Sequence, residues 1–377
     1  MSAADESSYV IQLSRPEVYV NSISFGGLDA VAAALSTNFI HLVDLEKKKS
    51  KQTLDIAKNV IGIHFDLTGS PVLRAVDDSF GIHLFDVRSG SKKKSRLNPI
   101  AENHAVTCSA ISNQYIALAS STFVEEKPKK SKKKDAGDGQ SEDVSSGDDE
   151  PEDDVDIDPS ECPHIISIFD IRKTTEPVVT FKDSHSDSVN SLAFFRDGRH
   201  LLSGGSDGLV NLFDVSMPKE DDALKSTNQV GSSVSRVGAL SKRLYFACTD
   251  DNKAELFSPN TFDDVDLLFR RSARDEKFLV DILKGSSEER PVAFLECDSE
   301  GKLYLLSVSS DGKKSEVVSE WTGHSDIVRS SAFNDGILVT GGEDGKLVVK
   351  KTDLRSSGGK VVSKEKKKKS KPSTDPY

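Results

Sequence analysis

Apolar and polar residues alternate with a period of two along most of this chain, in short runs separated by turn residues. Residues 209–215, LVNLFDV, are one such run, and a Ser-Asp-Gly turn precedes them. This period is typical of β-strands with one buried face, and Asp-Gly turns favour tight antiparallel connections. Because no stretch shows a convincing helical period, we predict an all-β fold of short antiparallel strands.

The most regular part of the pattern occurs twice. Residues 185–215 and 324–353 both begin with His-Ser-Asp, continue through an apolar strand ending in Ala-Phe, and reach an Asp-Gly turn. A second apolar strand, a Gly-Gly pair, another Asp-Gly turn and a third strand follow in both. Fainter copies lie at residues 39–45, 72–88 and 164–172. The chain is therefore built from a repeated unit.

The ends of these copies define the length of the unit. Asp44 and Asp86 lie 42 residues apart, and Asp170 and Asp214 lie 44 apart. The interval of 84 between Asp86 and Asp170 becomes 47 when the 37 charged residues 125–161 are treated as an insertion. Ser258, Ser307 and Lys351 continue the series, so we expect seven units of four strands each, a layout typical of propeller blades.

These units resemble the WD40 repeat proteins, whose blades open with Gly-His and end in Trp-Asp. Gly-His is present at Gly323-His324, and Ser184-His185 is a near form. The resemblance implies a seven-bladed propeller over residues 9–355, with the insertion between the second and third strands of blade three. It also implies closure of the ring by an N-terminal strand at residues 9–13. At the Trp position this chain has Val43, Phe85, Phe169, Phe213, Phe257, Leu306 and Lys350.

The resemblance also implies a buried hydrogen-bonded tetrad of His, Ser or Thr, Asp and Trp. The matching residues are His185, Ser203, Asp207 and Phe213 in blade four and His324, Thr340, Asp344 and Lys350 in blade seven. The alternative is a catalytic Ser-His-Asp triad in blade four. Since an active site needs one such cluster and the pattern recurs at the blade period, we favour the structural interpretation and expect no enzymatic activity. Phe213 lacks an indole N–H, so its ring is expected only to pack.

Other chemistry has little support in the sequence. The run DVDID at residues 154–158 begins like a calcium loop, but Pro159 and Ile165 stand where such a loop needs glycine and glutamate. The four cysteines are widely spaced, which favours free thiols in a reducing compartment over disulfides or a zinc site. We therefore expect no metal and no cofactor. The chain has no apolar run of membrane-spanning length, and its first twenty residues do not resemble a secretory signal.

Charge is concentrated in two segments that we predict to be disordered, the insertion 125–161 and the tail 356–377. Residues 127–134 hold six lysines, residues 135–161 hold 13 carboxylates, and the tail from residue 360 holds seven lysines. The lysine clusters suit nuclear import, and the alternative is a solvated, cytoplasmic chain. Without interleaved aromatics they do not indicate specific nucleic-acid binding. The cluster residues are Lys129, Lys130, Lys132, Lys133, Lys134, Lys366, Lys367, Lys368 and Lys369.

The acidic half of the insertion could bind basic proteins such as histones or ribosomal proteins. Ser145 and Ser146 each precede an acidic residue by three positions, which suits an acidophilic kinase and phosphorylation. The motifs FDVR at residues 85–88 and FDIR at residues 169–172 resemble, with Phe for Trp, the Trp-Asp-x-Arg motif of WD40 substrate receptors of cullin-4 ubiquitin ligases. That resemblance implies contacts of Arg88 and Arg172 with the ligase's damaged-DNA-binding adaptor.

Taken together, these patterns predict a non-catalytic scaffold that presents its propeller faces to protein partners, in the nucleus or nucleolus. The alternatives are a cullin-4 substrate receptor that uses Arg88 and Arg172, and a nucleolar or chromatin factor that handles basic ribosomal or histone proteins. No membrane partner is expected.

Overall fold

The structure, a computed structural model, describes residues 8–27, 30–66, 70–98, 103–122, 164–173, 175–285, 287–352 and 354. Within these residues the chain forms 28 β-strands and one short helix. The strands make seven antiparallel sheets of four, and the first strands of neighbouring sheets contact one another in a closed ring. The predicted all-β seven-bladed propeller is therefore confirmed. No helix of the described part is long and apolar enough to span a bilayer.

The first four blades follow one another along the chain, each with its strands in sequence order from the central channel to the rim. Blade one is β2 (Val20–Phe25), β3 (Ala30–Leu35), β4 (Phe39–Asp44) and β5 (Lys49–Asp55). Blade two is β6 (Val60–Phe65), β7 (Val72–Asp77), β8 (Gly81–Asp86) and β9 (Lys92–Arg96). Blade three is β10 (His104–Ile111), β11 (Tyr115–Thr122), β12 (His164–Asp170) and β13 (Val179–Phe181). Blade four is β14 (Val189–Phe194), β15 (His200–Gly205), β16 (Leu209–Asp214) and β17 (Leu224–Gln229), with α1 (Glu220–Ala223) before its outer strand.

The last three blades complete the ring. Blade five is β18 (Val234–Ser241), β19 (Leu244–Thr249), β20 (Lys253–Thr261) and β21 (Asp264–Ser272). Blade six is β22 (Phe278–Lys284), β23 (Val292–Cys297), β24 (Leu303–Val308) and β25 (Ser315–Trp321). Blade seven is β26 (Val328–Asn334), β27 (Ile337–Gly342), β28 (Lys346–Lys351) and, from the other end of the chain, β1 (Ser8–Gln12).

Closure of the ring by the N-terminal strand was predicted and is confirmed. β1 pairs antiparallel with β28, with Tyr9 opposite Val349 and Ile11 opposite Leu347. Ile11 is buried in the core between blades seven and one. The closing strand thus covers the edge of β28, which would otherwise present unpaired backbone groups.

The charged insertion falls where the repeat length placed it. β11 ends at Thr122 and β12 begins at His164, so residues 123–163 join the second and third strands of blade three. The predicted lysine cluster at residues 127–134, Ser145 and Ser146 lie outside the described residues, as does the tail from residue 355.

Core packing explains why a Trp position can be filled by other side chains. The seven residues at that position in the third strands are all less than 5% exposed. The Phe213 ring stacks on Phe181 of blade three at 4.4 Å between centroids, and the Lys350 ammonium lies 5.6 Å above the centroid of Trp321. Burial of an apolar body between blades is the shared requirement, and Phe satisfies it without an N–H donor.

All seven inner strands, which line the channel, carry a β-bulge near their first residue. Five of these strands begin their pairing with a valine, for example Val189 opposite Gly205 and Val328 opposite Gly342, and the register shifts before the next pair. The other two, β10 and β22, shift register a residue or two later. Such bulges bend a strand and redirect single side chains. The bulge residues, among them Ser235, Val280 and Arg329, consequently surround one mouth of the channel.

Candidate functional site

The alternating strand directions give the propeller two unlike faces. The loops between second and third strands and the loops between blades emerge on one face, which we call the insertion face because Thr122 and His164 lie on it. The loops between first and second strands and between third and fourth strands emerge on the other, which we call the opposite face. Loops on a rigid scaffold are where binding residues concentrate, so both faces are candidate binding surfaces.

In blade four, His185 links Ser203 and Asp207 beneath the insertion face. The Nε2 atom of His185 lies 2.7 Å from Ser203 Oγ, and Nδ1 lies 3.0 Å from Asp207 Oδ2. Asp207 also accepts the backbone N–H groups of Ser186 and Leu209. Burial alone would raise the pKa of Asp207, but the hydrogen bond from His185 and those from the backbone outweigh it and lower that pKa.

Blade seven repeats this arrangement. His324 Nδ1 lies 3.1 Å from Asp344 Oδ1, and its Nε2 lies 3.0 Å from Thr340 Oγ1. Asp344 accepts the N–H of Ser325, and the Lys346 ammonium lies 3.2 Å from it. Although burial acts in the other direction, these hydrogen bonds and charges hold the pKa of Asp344 far below its usual range. Both clusters thus fasten the loop that enters a blade to the turn between its second and third strands.

The Ser–His–Asp distances in blade four would also suit a hydrolase, but accessibility argues against this. Ser203 is 0% exposed and His185 is 6% exposed, so no substrate carbonyl can reach the Oγ atom. Asn211, a residue that sequence reasoning missed, closes the cluster: its Nδ2 donates to the carbonyl of Ser184 and lies 3.2 Å from His185 Nε2. Phe213 lies outside the hydrogen-bonded cluster.

The aspartate of the same His-Ser-Asp motif is not part of the hydrogen-bonded cluster in either blade. Asp187 and Asp326 follow their buried histidines by two positions, are exposed, and accept the N–H of the next residue through Oδ1. The motif therefore fixes a histidine inside the blade and presents a carboxylate at the start of the inner strand. This outward carboxylate could have been read from the repeat, because it recurs in both blades.

Asp187 and Asp326 belong to a larger group of acidic residues on the insertion face. Glu17 precedes the inner strand of blade one, and Asp78 and Asp250 follow the second strands of blades two and five. We call Glu17, Asp78, Asp187, Asp250 and Asp326 the carboxylate ring. Among the described residues none of the five has a Lys or Arg partner within ion-pair distance, whereas Arg236 and Arg329 of the same mouth pair with Asp281 and Glu343. Burial, together with the charge of Asp77, raises the pKa of Asp78.

A cavity of about 390 Å³ opens within this ring between blades five, six and seven. Its lining includes the apolar residues Phe278, Leu279 and Ile327, of which Phe278 is 37% exposed. Its charged lining residues are Asp250 and the two ion-paired arginines, Arg236 and Arg329. Exposed aromatic surface beside unpaired charge is typical of protein-binding sites. The cavity is therefore a recess of mixed polar and apolar lining that contains one unpaired carboxylate, Asp250.

The floor of this mouth is held by a network that links three blades. Asp281 Oδ2 in blade six accepts a hydrogen bond from Arg236 Nη1 in blade five at 2.7 Å and another from the Ser331 hydroxyl in blade seven. Sequence reasoning missed this network, because the three residues lie about one repeat apart and no local pattern marks them. Elsewhere in the ring, His64 and Ser109 join blades two and three through a 2.9 Å hydrogen bond.

On the opposite face, Arg88 and Arg172 follow the third strands of blades two and three. They are not equivalent. Arg172 makes hydrogen bonds of 3.0 and 2.8 Å to the two carboxylate oxygens of Asp170, which lowers the pKa of Asp170 to about 2. Asp86 and Asp170 both accept the backbone N–H of the arginine two residues on, but within the described chain the Arg88 guanidinium has no hydrogen-bond partner.

No group of three or more His, Cys, Asp or Glu side chains is arranged to hold a metal ion within the residues the structure describes. The thiols of Cys108, which is half-buried, and Cys248, which is buried, are unsuited to nucleophilic chemistry. Burial raises the pKa of Cys108 to about 12 and raises that of Cys248 further.

Comparison with known proteins agrees with this geometry. The family model WD40, described as WD domain, G-beta repeat, matches residues 175–214 and 315–349. An uncharacterized WD repeat-containing protein of Saccharomyces cerevisiae is 33% identical over 130 residues, which cover 32% of this chain and 33% of that protein. A guanine nucleotide-binding protein subunit beta of Zea mays is 32% identical over 93 residues, covering 23% of this chain and 24% of that one. The matches thus span a third or less of the length of these curated relatives.

Solved structures match over far more of the chain. A chain in the crystal structure of a mitotic checkpoint complex has a TM-score of 0.65 at 18% identity, covering 92% of this chain and 91% of that one. The β-propeller domain of Cps50 (Swd1) from Myceliophteria thermophila has a TM-score of 0.61 at 16% identity, covering 92% and 100%. At these identities the likeness concerns the fold. The chain is thus a seven-bladed β-propeller that contains WD40 repeats.

Proposed function

We propose that this protein is a non-catalytic scaffold that binds a basic segment of a partner protein on its insertion face. A WD40 propeller supports a protein-interaction role in general. The observation that carries the specific proposal is the carboxylate ring, whose members have no ion-pair partner among the described residues. Unpaired like charges at a concave mouth attract ligands of the opposite sign.

The surroundings of the ring favour the same ligand. The segment 123–163, which joins Thr122 to His164, has 15 carboxylates and six lysines in its sequence, so its net charge is −9 and has the same sign as the ring. The cavity beside Phe278 and Ile327 can take an apolar side chain or the aliphatic stem of a lysine or arginine. The two arginines that line it each have an acidic partner, so their charges are offset. A Lys- or Arg-rich tail, such as those of histones or ribosomal proteins, combines both features.

Nuclear location is part of the proposal and depends on the two lysine clusters. Both clusters lie outside the described residues, and their support is the sequence alone. A fluorescent fusion that lacks both clusters is expected to lose its nuclear accumulation. An undiminished nuclear signal would remove this part of the proposal and leave the binding chemistry untouched.

The binding proposal is tested with a fluorescein-labelled Lys/Arg-rich peptide and fluorescence anisotropy. The variant Asp187→Asn/Asp250→Asn/Asp326→Asn removes three ring charges. We expect it to bind about tenfold more weakly, since each exposed charge contact contributes up to about 1 kcal/mol. The affinity of the wild type should fall as salt concentration rises.

The matched control removes three exposed carboxylates from loops of the opposite face, through Glu46→Gln/Asp263→Asn/Asp335→Asn. This variant has the same net charge as the ring variant and should bind like the wild type. Equal affinities of both variants would show that attraction is due to net charge alone and would refute a site at the ring. The same anisotropy assay on a variant that lacks residues 125–161 measures how much of the affinity for the peptide is due to the insertion.

A second candidate is a substrate receptor that contacts the adaptor of a cullin-4 ligase through the opposite face. The observation that favours it is the position of Arg88 and Arg172 at the ends of equivalent strands in neighbouring blades, on one face. Pull-down of the adaptor with the wild type and with Arg88→Ala/Arg172→Ala tests it. Equal recovery of the adaptor by both proteins would refute this candidate.

A further inference from the structure

The outer strands at the rim of the propeller differ in charge. β5 and β9, in the neighbouring blades one and two, together carry six Lys or Arg residues and one acidic residue, Asp55. The other five outer strands of the described propeller together carry three basic and four acidic residues. Because the chain has a net charge of −11, β5 and β9 form a local patch of positive charge on an acidic protein.

Most of these cations have no acidic partner. Lys94 is the exception, since its ammonium lies 3.7 Å from Asp77. The other five are exposed, and among the described residues none of them has a carboxylate within ion-pair distance. We call these five the basic rim: Lys49, Lys51, Lys92, Lys93 and Arg96.

The basic rim lies at the boundary between blades one and two. The Lys92 ammonium in blade two donates a hydrogen bond of 3.1 Å to the carbonyl of Asp55 in blade one. β9 pairs with β8 without a register shift, so Lys92 and Arg96 lie on one face of the strand and Lys93 lies on the other. Cations therefore lie on both faces of this edge strand.

Acidic residues beside the basic rim are too few to offset it. Glu46 and Asp55 are exposed there, and Asp44 already pairs with Lys47. The five charges of the basic rim thus exceed those of Glu46 and Asp55. An excess of one sign on a surface attracts a ligand of the opposite sign.

A run of opposite charge in the same chain can reach this surface. Residues 152–158, EDDVDID, have five carboxylates and precede His164, the first residue of β12, by six to twelve residues. Blades two and three share one core, which contains Leu97, directly after β9, and Phe169 of β12. Sheets that share a core pack about 10 Å apart. Six to twelve residues span up to about 20–40 Å, so the acidic run can lie against β9.

The tether favours this run over a separate acidic ligand. Each exposed ion pair contributes little, so a contact made of several such pairs forms best when its two sides are held close together. A short tether gives the run an effective concentration on the order of millimolar at the neighbouring blade. An acidic ligand free in solution at a lower concentration competes poorly with it.

We propose that the acidic run 152–158 docks on the basic rim of blades one and two within the same chain. The contact is separate from the carboxylate ring and needs no partner protein. It offsets part of the charge of both surfaces, so nucleic acids and other polyanions must compete with the run for the basic rim. Salt should weaken the contact, because exposed charges are screened.

Zero-length cross-linking of the full chain at low protein concentration, followed by mass spectrometry, tests the contact. We expect amide links from the carboxylates of residues 152–158 to Lys49, Lys51, Lys92 or Lys93. Their yield should fall at a salt concentration of about 0.5 M. A wild type without links from this run to the basic rim overturns the proposal, whether or not the run is linked to lysines of residues 127–134 or of the tail.

A second readout changes the basic rim without changing the acidic run. The rim variant is Lys49→Gln/Lys51→Gln/Lys92→Gln/Lys93→Gln/Arg96→Gln. An aspartate-specific endoproteinase should cut it within residues 152–158 at least about threefold faster than the wild type, because cleavage follows the undocked population.

The matched control for the rim variant changes the net charge equally by removing five exposed cations of blades four to six. It is Lys219→Gln/Lys242→Gln/Arg243→Gln/Lys284→Gln/Lys313→Gln. This control should be cut at the wild-type rate, and circular dichroism melts confirm that both variants are folded. Equal cleavage rates of the rim variant and the control would overturn the proposal.

Discussion

Substitution of Asp207 separates a structural role from a catalytic one. Asp207→Ala removes the acceptor for three donors, namely His185 Nδ1–H and the backbone N–H groups of Ser186 and Leu209. A buried donor without a partner costs about 1–3 kcal/mol, and water can reach the partly exposed ones, so we expect a loss of about 2–4 kcal/mol in the free energy of unfolding. Thermal unfolding followed by circular dichroism should show a fall in Tm of roughly 5–10 °C.

Asp207→Asn keeps one acceptor oxygen and should lose about half as much. The matched control is Asp187→Ala, which removes an exposed carboxylate of the same loop region. That variant should keep its Tm and bind the basic peptide more weakly, whereas Asp207→Ala should bind normally at a temperature where it is folded. An unchanged Tm for Asp207→Ala, with loss of some activity, would refute the structural interpretation of the Ser–His–Asp cluster.

Three further predictions concern the stability of the propeller. Burial, together with the charge of Arg74, lowers the pKa of His64 to about 4, so on acidification the unfolded chain takes up a proton near pH 6.5 and the folded chain does not. The free energy of unfolding measured in urea should therefore fall by about 2–3 kcal/mol between pH 7 and pH 4.5. In His64→Gln the free energy of unfolding should depend less on pH over this range. Gly204→Ala places a Cβ 2.4 Å from a methyl of Val234 in the next blade, which should destabilise the fold by about 1–3 kcal/mol in the same assay. Ile11→Ala should cost about 2–4 kcal/mol by leaving a cavity under the closing strand, and an unchanged midpoint would show that β1 is dispensable.

Features that repeat along the chain were predictable. The series of residues from Asp44 to Lys351 gave the blade number, and the excess length between Asp86 and Asp170 located the insertion. The alternating residues 9–13 marked the closing strand, which the structure places at Ser8–Gln12. Each of these depends on period and length, which are properties of the sequence itself.

Contacts between blades could not be predicted in this way. Asn211 enters the blade-four cluster because its strand register brings it opposite Ser203. Arg236, Asp281 and Ser331 meet across three inner strands, and nothing in their local sequence indicates it. The carboxylate ring is likewise assembled from five loops. Asp187 and Asp326 recur in the repeat, but Glu17, Asp78 and Asp250 look like ordinary surface acids in the sequence.

The central claim, that the insertion face receives a basic segment, is tested most directly by zero-length cross-linking of a bound Lys-rich peptide to the carboxylates of the protein, followed by mass spectrometry. We predict cross-links to Asp187, Asp250 or Asp326 in the full chain and in the variant that lacks residues 125–161. Cross-links confined to carboxylates of the opposite face, such as Glu46, Asp263 or Asp335, would contradict the claim.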